Sequence, residues 1–301
     1  MCNLLQTFLF IYYWLNIIGF FQANQQFYRY AAADNVSINL KSKAISLVLA
    51  GGLIAAILGP EVSRYSFDFF DDYIYLATYL FGAIIQIINF VILIFIKIKK
   101  PQLSKKSHRP LSDILLQKNL IIAILAAAVG YSLMSFIMTA TPLQIVNVCK
   151  LGDSASATVI QWHVIAMFAP SFFTGTIISS LGNRKVMMIG LFLYAFSISF
   201  TIIGQTIEHF WIALFLCGLG WNFLYVGGSD IIARSAFPEE RAKVQGVTDF
   251  IIFIFVATGS FLAGALHSSL GWEIMMFYTS IPILILFVSI IIIKPDGIKA
   301  G

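Results

Sequence analysis

Gln22, Gln26 and Arg29 recur at i, i+4 and i+7 inside an apolar run, so on a helix they share one face. Two amides and a guanidinium in one stripe can hydrogen-bond a polar or anionic solute, and Asn24 and Gln25 broaden that edge. Arg29 has two further readings: extension of its stem toward charged headgroups, or a gate formed with Asp34. Downstream, Tyr131, Ser135, Met138 and Thr139 make a mixed face that ends at Pro142, whose ring frees a backbone carbonyl for Thr139 or Ser135 to cap. Gln161, Trp162 and His163 are consecutive. A histidine can change charge near neutral pH, so His163 is the candidate for proton coupling, with an interhelical hydrogen bond as the alternative. Trp162 is either an interfacial anchor or a flat surface for an aromatic solute. Trp221, Asn222 and Tyr225 span one turn and offer ring faces, an amide and a hydroxyl. Asp230 stands one turn before Arg234, and Asp249 follows Lys243 and Gln245; these read as gate or interface charges. Amides and an imidazole in apolar surroundings need partners, so Gln22, Gln26, His163, Trp221 and Asn222 are expected to converge on one cavity.

The elements that must position these groups are long apolar segments. The chain is 59% hydrophobic and 11% charged, with mean hydropathy +0.88. A helix needs about 20 apolar residues to cross the hydrocarbon core. Nine segments qualify: 5–30, 44–65, 72–96, 119–146, 157–181, 186–205, 209–233, 244–267 and 272–293. The expected class is therefore an all-α integral membrane protein. The first run lacks the basic head and small-residue cleavage site of a signal peptide.

Charge sorting predicts orientation. Placing 31–43, 97–118, 182–185, 234–243 and the tail on one side, with Arg29, collects 17 of the 19 basic residues. The opposite side has Arg64 and Lys150 only. Positive-inside sorting then puts the basic side in the cytoplasm, the start of the chain outside, and the whole in a bacterial inner membrane. Membrane lipids are the partners expected for the basic stretch Lys97, Lys99, Lys100, Lys105, Lys106, His108 and Arg109. The net charge of +5 follows from this sorting and does not call for nucleic acid. Cys2, Cys149 and Cys217 lack zinc or redox spacing, so no disulfide, metal or other cofactor is expected. No HExxH, G-x-S-x-G or phosphate-cradling Gly-Lys-Ser/Thr loop is present, which argues against an enzyme or a nucleotide-driven pump.

The chain also echoes itself. A shift of 200 residues places Lys41 on Arg241, Lys43 on Lys243 and Gly59 on Gly259, and the turn at 66–72 on that at 267–271. Span, basic loop, span, turn and span recur in the same order, as in transporters built from repeated halves. The organisation expected is a three-helix partial bundle (1–96), a basic linker (97–118), a six-helix bundle (119–294) and a tail (295–301). By the same offset, partners for 119–146, 157–181 and 186–205 would precede residue 1, so a shortened chain is expected.

Repeated halves, a basic central loop and an inner C-terminus resemble the major facilitator superfamily from its fourth helix onward. The stretch Gly175-Thr176-Ile177-Ile178-Ser179-Ser180-Leu181-Gly182-Asn183-Arg184-Lys185 occupies the place of that family's signature loop, G-x-x-x-D-R-x-G-R-[RK]. Gly175, Gly182 and Arg184 fit; Ser179 stands where the family has an Asp belonging to a charge network at the inner gate. Gly51-Gly52 to Gly59-Pro60 is similar to the family's glycine-rich fifth helix without its trailing glycines. Met138 to Pro142, Gln161 to His163, Ala169 to Gly175 and Gln22 to Asp34 are together similar to riboflavin-transporter-like bacterial permeases. The resemblance implies an incomplete two-bundle major-facilitator-like fold. It implies secondary transport of a small organic solute, an aromatic one as candidate, by alternating access with a proton as candidate coupling ion. The alternative is a non-transporting remnant or membrane scaffold. Oligomeric state and direction are not readable from the residues.

Overall fold

In hydrocarbon every backbone N–H and C=O must find its partner inside the segment, which leaves helices as the available answer for such runs. The computed structural model describes residues 2–96 and 109–294, and side chains at Thr7 and from Leu9 onward. The basic cluster from Lys97 to His108 and the tail 295–301 lie outside the described residues. The helices are α1 (Cys2–Asp34), α2 (Lys41–Ala50), α3 (Gly52–Ser66), α4 (Leu76–Ile94), α5 (Leu111–Leu115), α6 (Lys118–Pro142), α7 (Asp153–Phe168), α8 (Ser171–Leu181), α9 (Asn183–Ile203), α10 (Ile207–Arg234), α11 (Arg241–Leu270), α12 (Trp272–Tyr278) and α13 (Ser280–Ile293). No strand occurs among the described residues. Seven helical stretches among them are long and apolar enough to cross a membrane, and α7 with α8, bent by 41°, makes up to eight. The run expected at 5–30 falls within α1, a helix of 33 residues. The protein is integral to a membrane.

Lipid tails are as apolar as leucine, so helices associate here through close packing and interhelical hydrogen bonds. The second half shows both. Its centre is α10, packed on α9, α7 and α6. Gly190 and Gly220 face each other so closely that a Cβ on Gly220 would lie 3.0 Å from the Gly190 carbonyl oxygen. Tyr194 Oη donates to Gly130 O at 2.6 Å, Ser197 Oγ to Ala213 O at 2.7 Å and Trp272 Nε1 to Thr201 O at 3.0 Å, tying α9 to α6, α10 and α12. Such bonds average about 0.6 kcal/mol each in membranes, so close packing carries much of the cohesion.

Two prolines shape the element ends. Pro170 separates α7 from α8 at the bend. After Pro142, α6 runs into a π-helical turn, Leu143–Val148. Neither Thr139 nor Ser135 caps there. Ser135 Oγ meets Ser260 Oγ on α11 at 2.7 Å, Thr139 is exposed, and the hydroxyl that turns back is Thr141, 2.7 Å from Ile137 O. The π-helical turn delivers Gln144 and Cys149 to a polar knot with Gln205 and His267, and Gln205 also reaches Glu273.

The first half is looser, and α4 meets mainly α3. The largest contact between helices on either side of the linker is α2 on α8. Just past the linker, Arg109 donates to both carboxylate oxygens of Glu240 at 3.1 and 2.6 Å and lies over the Phe237 ring. Hydrogen bonds from Arg109 and from the Phe237 N–H hold the Glu240 carboxyl down to about 2, against the opposing effect of burial.

Candidate functional site

Arg29 is the hinge of the polar groups. It sits on α1, about one and a half turns before Asp34, and its side chain is 2% exposed. Burying a guanidinium requires a charge partner and filled hydrogen bonds. The partner is Asp249 on α11: Nη2 lies 2.6 Å from Oδ1. Nη2 also reaches Tyr30 Oη at 3.1 Å, and Nη1 donates to the Gln26 backbone and side-chain oxygens at 2.8 and 2.7 Å. Tyr225 Oη on α10 donates to the same Gln26 Oε1 at 2.8 Å. One network therefore joins α1, α10 and α11. The gate drawn from sequence between Arg29 and Asp34 is not formed; Arg29 is held by Asp249.

Rings enclose this network. The guanidinium lies 4.3 Å over Tyr30 and 4.8 Å over Tyr225, within cation–π range. Tyr225 stacks on Trp221, one turn earlier on α10, at 5.0 Å between centroids. Tyr131 of α6 meets Trp221, Tyr225 and Phe253 edge-on, and Phe168 of α7 closes on Trp221. Beside the network, between α1 and α11, is a cavity of about 480 Å³, open along one side, whose polar wall is Gln22, Gln26 and Asp249 and whose remaining wall includes Phe253 and the exposed Phe250. Ligand sites of small molecules fall within roughly 300–1,000 Å³ and have this make-up, mostly apolar with a few directed polar groups.

At the basic end of the bundle Asp34 is shared. Lys41 Nζ lies 3.6 Å from it and Arg241 Nη1 3.0 Å. These two cations, superposed by the 200-residue offset, converge on one carboxylate. Lys41 also donates to Ala233 O at 2.8 Å and is buried. Arg234 Nε is 3.0 Å from both oxygens of Asp230, and Asn183 Nδ2 donates to Asp230 at 3.0 Å. Arg184 is half-buried and lines a cleft with Leu181, Lys185 and Met188, apart from those pairs. Ser179, at the signature Asp position, meets Ser42 Oγ on α2 at 3.2 Å, an uncharged link between the halves.

Of the five residues expected at one shared cavity, Gln22 and Gln26 line it, Trp221 is buried among the rings beside it, and the other two lie elsewhere. His163 is fully buried against α10, with Nδ1 2.7 Å from Leu214 O. A carbonyl only accepts, so Nδ1 carries the hydrogen there. Asn222 points the opposite way from the rings beside it: Nδ2 donates to Met167 O and Ser171 Oγ, and Oδ1 accepts from Thr174 Oγ1. It fastens α10 to the α7–α8 bend. Trp162 is 42% exposed and meets Trp211 edge-on. Gln161 is half-buried.

Sequence reasoning left out Tyr30, Lys41 as a side-chain donor, Ser42, Ser46 and Phe253. Ser42 and Ser46 are four apart and match Ser171, Gly175 and Ser179 on α8, a small-residue spacing that signals close helix approach. Tyr30 and Phe253 had no such signal among so many aromatic neighbours.

Residues 120–299 match the Major Facilitator Superfamily. The chain is similar to a riboflavin transporter, RfnT, of Brucella anthropi, 39% identical over 287 residues that make up 94% of this chain and 72% of that one. It is also similar to an uncharacterised MFS-type transporter, YddS, of Bacillus subtilis, 27% identical over 85% of this chain and 63% of the relative. A multidrug resistance protein, MdtL, of Shewanella oneidensis is 21% identical over 57% of this chain and 45% of its own length. The chain thus spans less than two thirds of these last two. A family match over more than half of the chain, carried by helices with this packing, establishes that the protein belongs to the major facilitator superfamily, whose members here are transporters rather than enzymes.

Proposed function

We propose that the protein moves a planar, riboflavin-type solute across a bacterial inner membrane by alternating access between the helices before and after the linker. The observation that carries this is the Arg29–Asp249 pair: it joins the two sets of helices beside a cavity lined by amides and aromatic rings. The 39% identity to a riboflavin transporter directs the choice of solute. In this reading Gln22, Gln26, Tyr131, Trp221 and Tyr225 line the pathway, with Thr139, Gln161 and Trp162 at its margins. His163 and Asn222 hold α7 and α8 to α10. Arg29 with Asp249, and Asp34 with Lys41 and Arg241, close the basic end; Asp230, Arg234 and Arg184 support it.

The basic end faces the cytoplasm, α1 is a ninth crossing that begins outside, and 1–96 and 119–294 are unequal bundles joined by the linker. A proton gradient drives the cycle, and lipid headgroups contact the basic linker. The test is riboflavin uptake by cells that cannot synthesise flavin and lack their own importer. Expression of the chain, verified in the membrane fraction, is expected to support growth at low external riboflavin and to lose this when the proton gradient is collapsed. Membrane-inserted protein without any flavin uptake or efflux refutes the reading.

A further inference from the structure

Arg29 and Asp249 touch at a single point. The contact uses Nη2 and Oδ1, whereas a side-on fork would also join Nε to Oδ2. Arg29 Nε, a donor, and Asp249 Oδ2, an acceptor, are consequently both buried with no protein partner. The other guanidinium hydrogens are committed to Gln26, Tyr30 and Asp249. One turn before Asp249, Gln245 Nε2 is also unpartnered, as is Trp221 Nε1. Buried polar atoms are ordinarily satisfied, and a cluster of exceptions around one ion pair calls for a specific reason. Asp249 itself forms part of the wall of the 480 Å³ cavity, with Gln22 and Gln26 as its polar neighbours there.

A free donor and a free acceptor, carried by the two members of one ion pair, complement a cis-amide: a ring N–H with a carbonyl beside it. Resting on the riboflavin-type reading above, we propose that Asp249 and Arg29 recognise the lactam or imide edge of a planar heteroaromatic solute. Asp249 Oδ2 accepts the ring N–H, Arg29 Nε donates to one flanking carbonyl, and the Gln22 amide donates to the other. Phe253, backed by Tyr131, and Phe250 supply the wall against which the ring lies. A carboxylate is acceptor-only, so it demands a donor at that ring position, which an amide side chain would not. The isoalloxazine ring of riboflavin has one such edge, an N–H between two carbonyls.

The experiment compares riboflavin with its N3-methyl derivative, which keeps the ring and both carbonyls and lacks the N–H. Binding to the full chain in lipid nanodiscs is read by quenching of flavin fluorescence. Riboflavin is expected to bind at least about tenfold tighter, because a site built around a hydrogen bond rejects the analogue that cannot make it. In Asp249→Asn, whose side chain offers both a donor and an acceptor, the preference is expected to fall below about threefold. Equal binding of the two flavins to the unaltered protein overturns this assignment while leaving the riboflavin-type reading in place. Binding of neither overturns both. A preference that persists undiminished in folded Asp249→Asn also overturns the assignment. The first comparison needs no variant, so misfolding of Asp249→Asn does not shield the proposal.

Discussion

Gly175 on α8 donates its backbone N–H to Ser46 Oγ on α2 at 3.0 Å. Ser46 in turn donates to Ser171 O, so one hydroxyl of α2 bridges two positions of α8. At this distance no side chain fits at 175. A Cβ there would lie 2.5 Å from Ser42 O and 2.6 Å from Lys43 Cα, main-chain atoms that cannot swing aside.

Gly175→Ala is therefore expected to destabilise the contact between the halves by about 1–3 kcal/mol, the usual cost of overpacking. Thermal melting in nanodiscs measures it. A second reading uses S42C with S179C, whose native oxygens stand 3.2 Å apart. Cross-linking should be efficient with Gly175 and reduced with Ala. Equal cross-linking yields and equal melting would show that α2 and α8 can separate without cost.

Removing one member of the Arg29–Asp249 pair strands the other charge in a buried site. Asp249→Ala is expected to cost about 3–5 kcal/mol. The double replacement Arg29→Met with Asp249→Leu should recover most of that, since two apolar groups leave no unpaired charge. A double variant no more stable than Asp249→Ala would count against this account.

Trp221 and Asn222 are adjacent and should behave oppositely. Asn222→Ala removes three hydrogen bonds at the α7–α8 bend and should cost about 2 kcal/mol or more. Flavin affinity of the folded fraction should change less than about twofold, since Asn222 has no place in the recognition edge. Trp221→Ala should weaken flavin binding by more than its effect on melting accounts for. The reverse pattern would exchange their roles.

His163 fills a contact between α7 and α10. His163→Gln, which can still donate to the Leu214 carbonyl, is expected to leave the pH profile of uptake unchanged in shape. A displaced or flattened profile would return His163 to the proton pathway.

Glu240 predicts a pH dependence at the linker. Its carboxyl is held down from 4.5 to about 2 by Arg109. A carboxyl lowered in the folded state contributes stability that is full above its ordinary value and is lost as pH falls through the folded one. The Arg109–Glu240 tether should therefore persist at neutral pH and loosen between about 4.5 and about 2. Protection factors over 109–117, referred to the intrinsic exchange rate at each pH, should fall in that window and stay constant there in Glu240→Gln. Unchanged protection down to pH 2 would dissociate the tether from Glu240.

The helical segments were legible in the residues because hydrocarbon imposes a one-dimensional requirement: enough consecutive apolar residues, with the backbone bonded to itself. The approximate places of the segments and the stripe of Gln22, Gln26 and Arg29 follow from counting along the chain, whereas the breaks after Ala50, Phe168 and Tyr278 do not. Periodicity also separates Asn222 from Trp221 and Tyr225 by angle around α10. It does not say which angle faces α1. Lys41 counts in sequence only as loop charge, yet it is buried on the Ala233 carbonyl.

By itself, then, the sequence determined that this is a helical membrane protein with a few polar stripes. Tertiary structure decided the partners. Arg29 and Asp249 are separated by 220 positions, and nothing local distinguishes Asp249 from Asp34 as the counter-charge. That choice rests on how α1 and α11 approach, which close packing of small residues and rings sets at the level of ångströms. Charge type and spacing are properties of one helix; complementarity is a property of two.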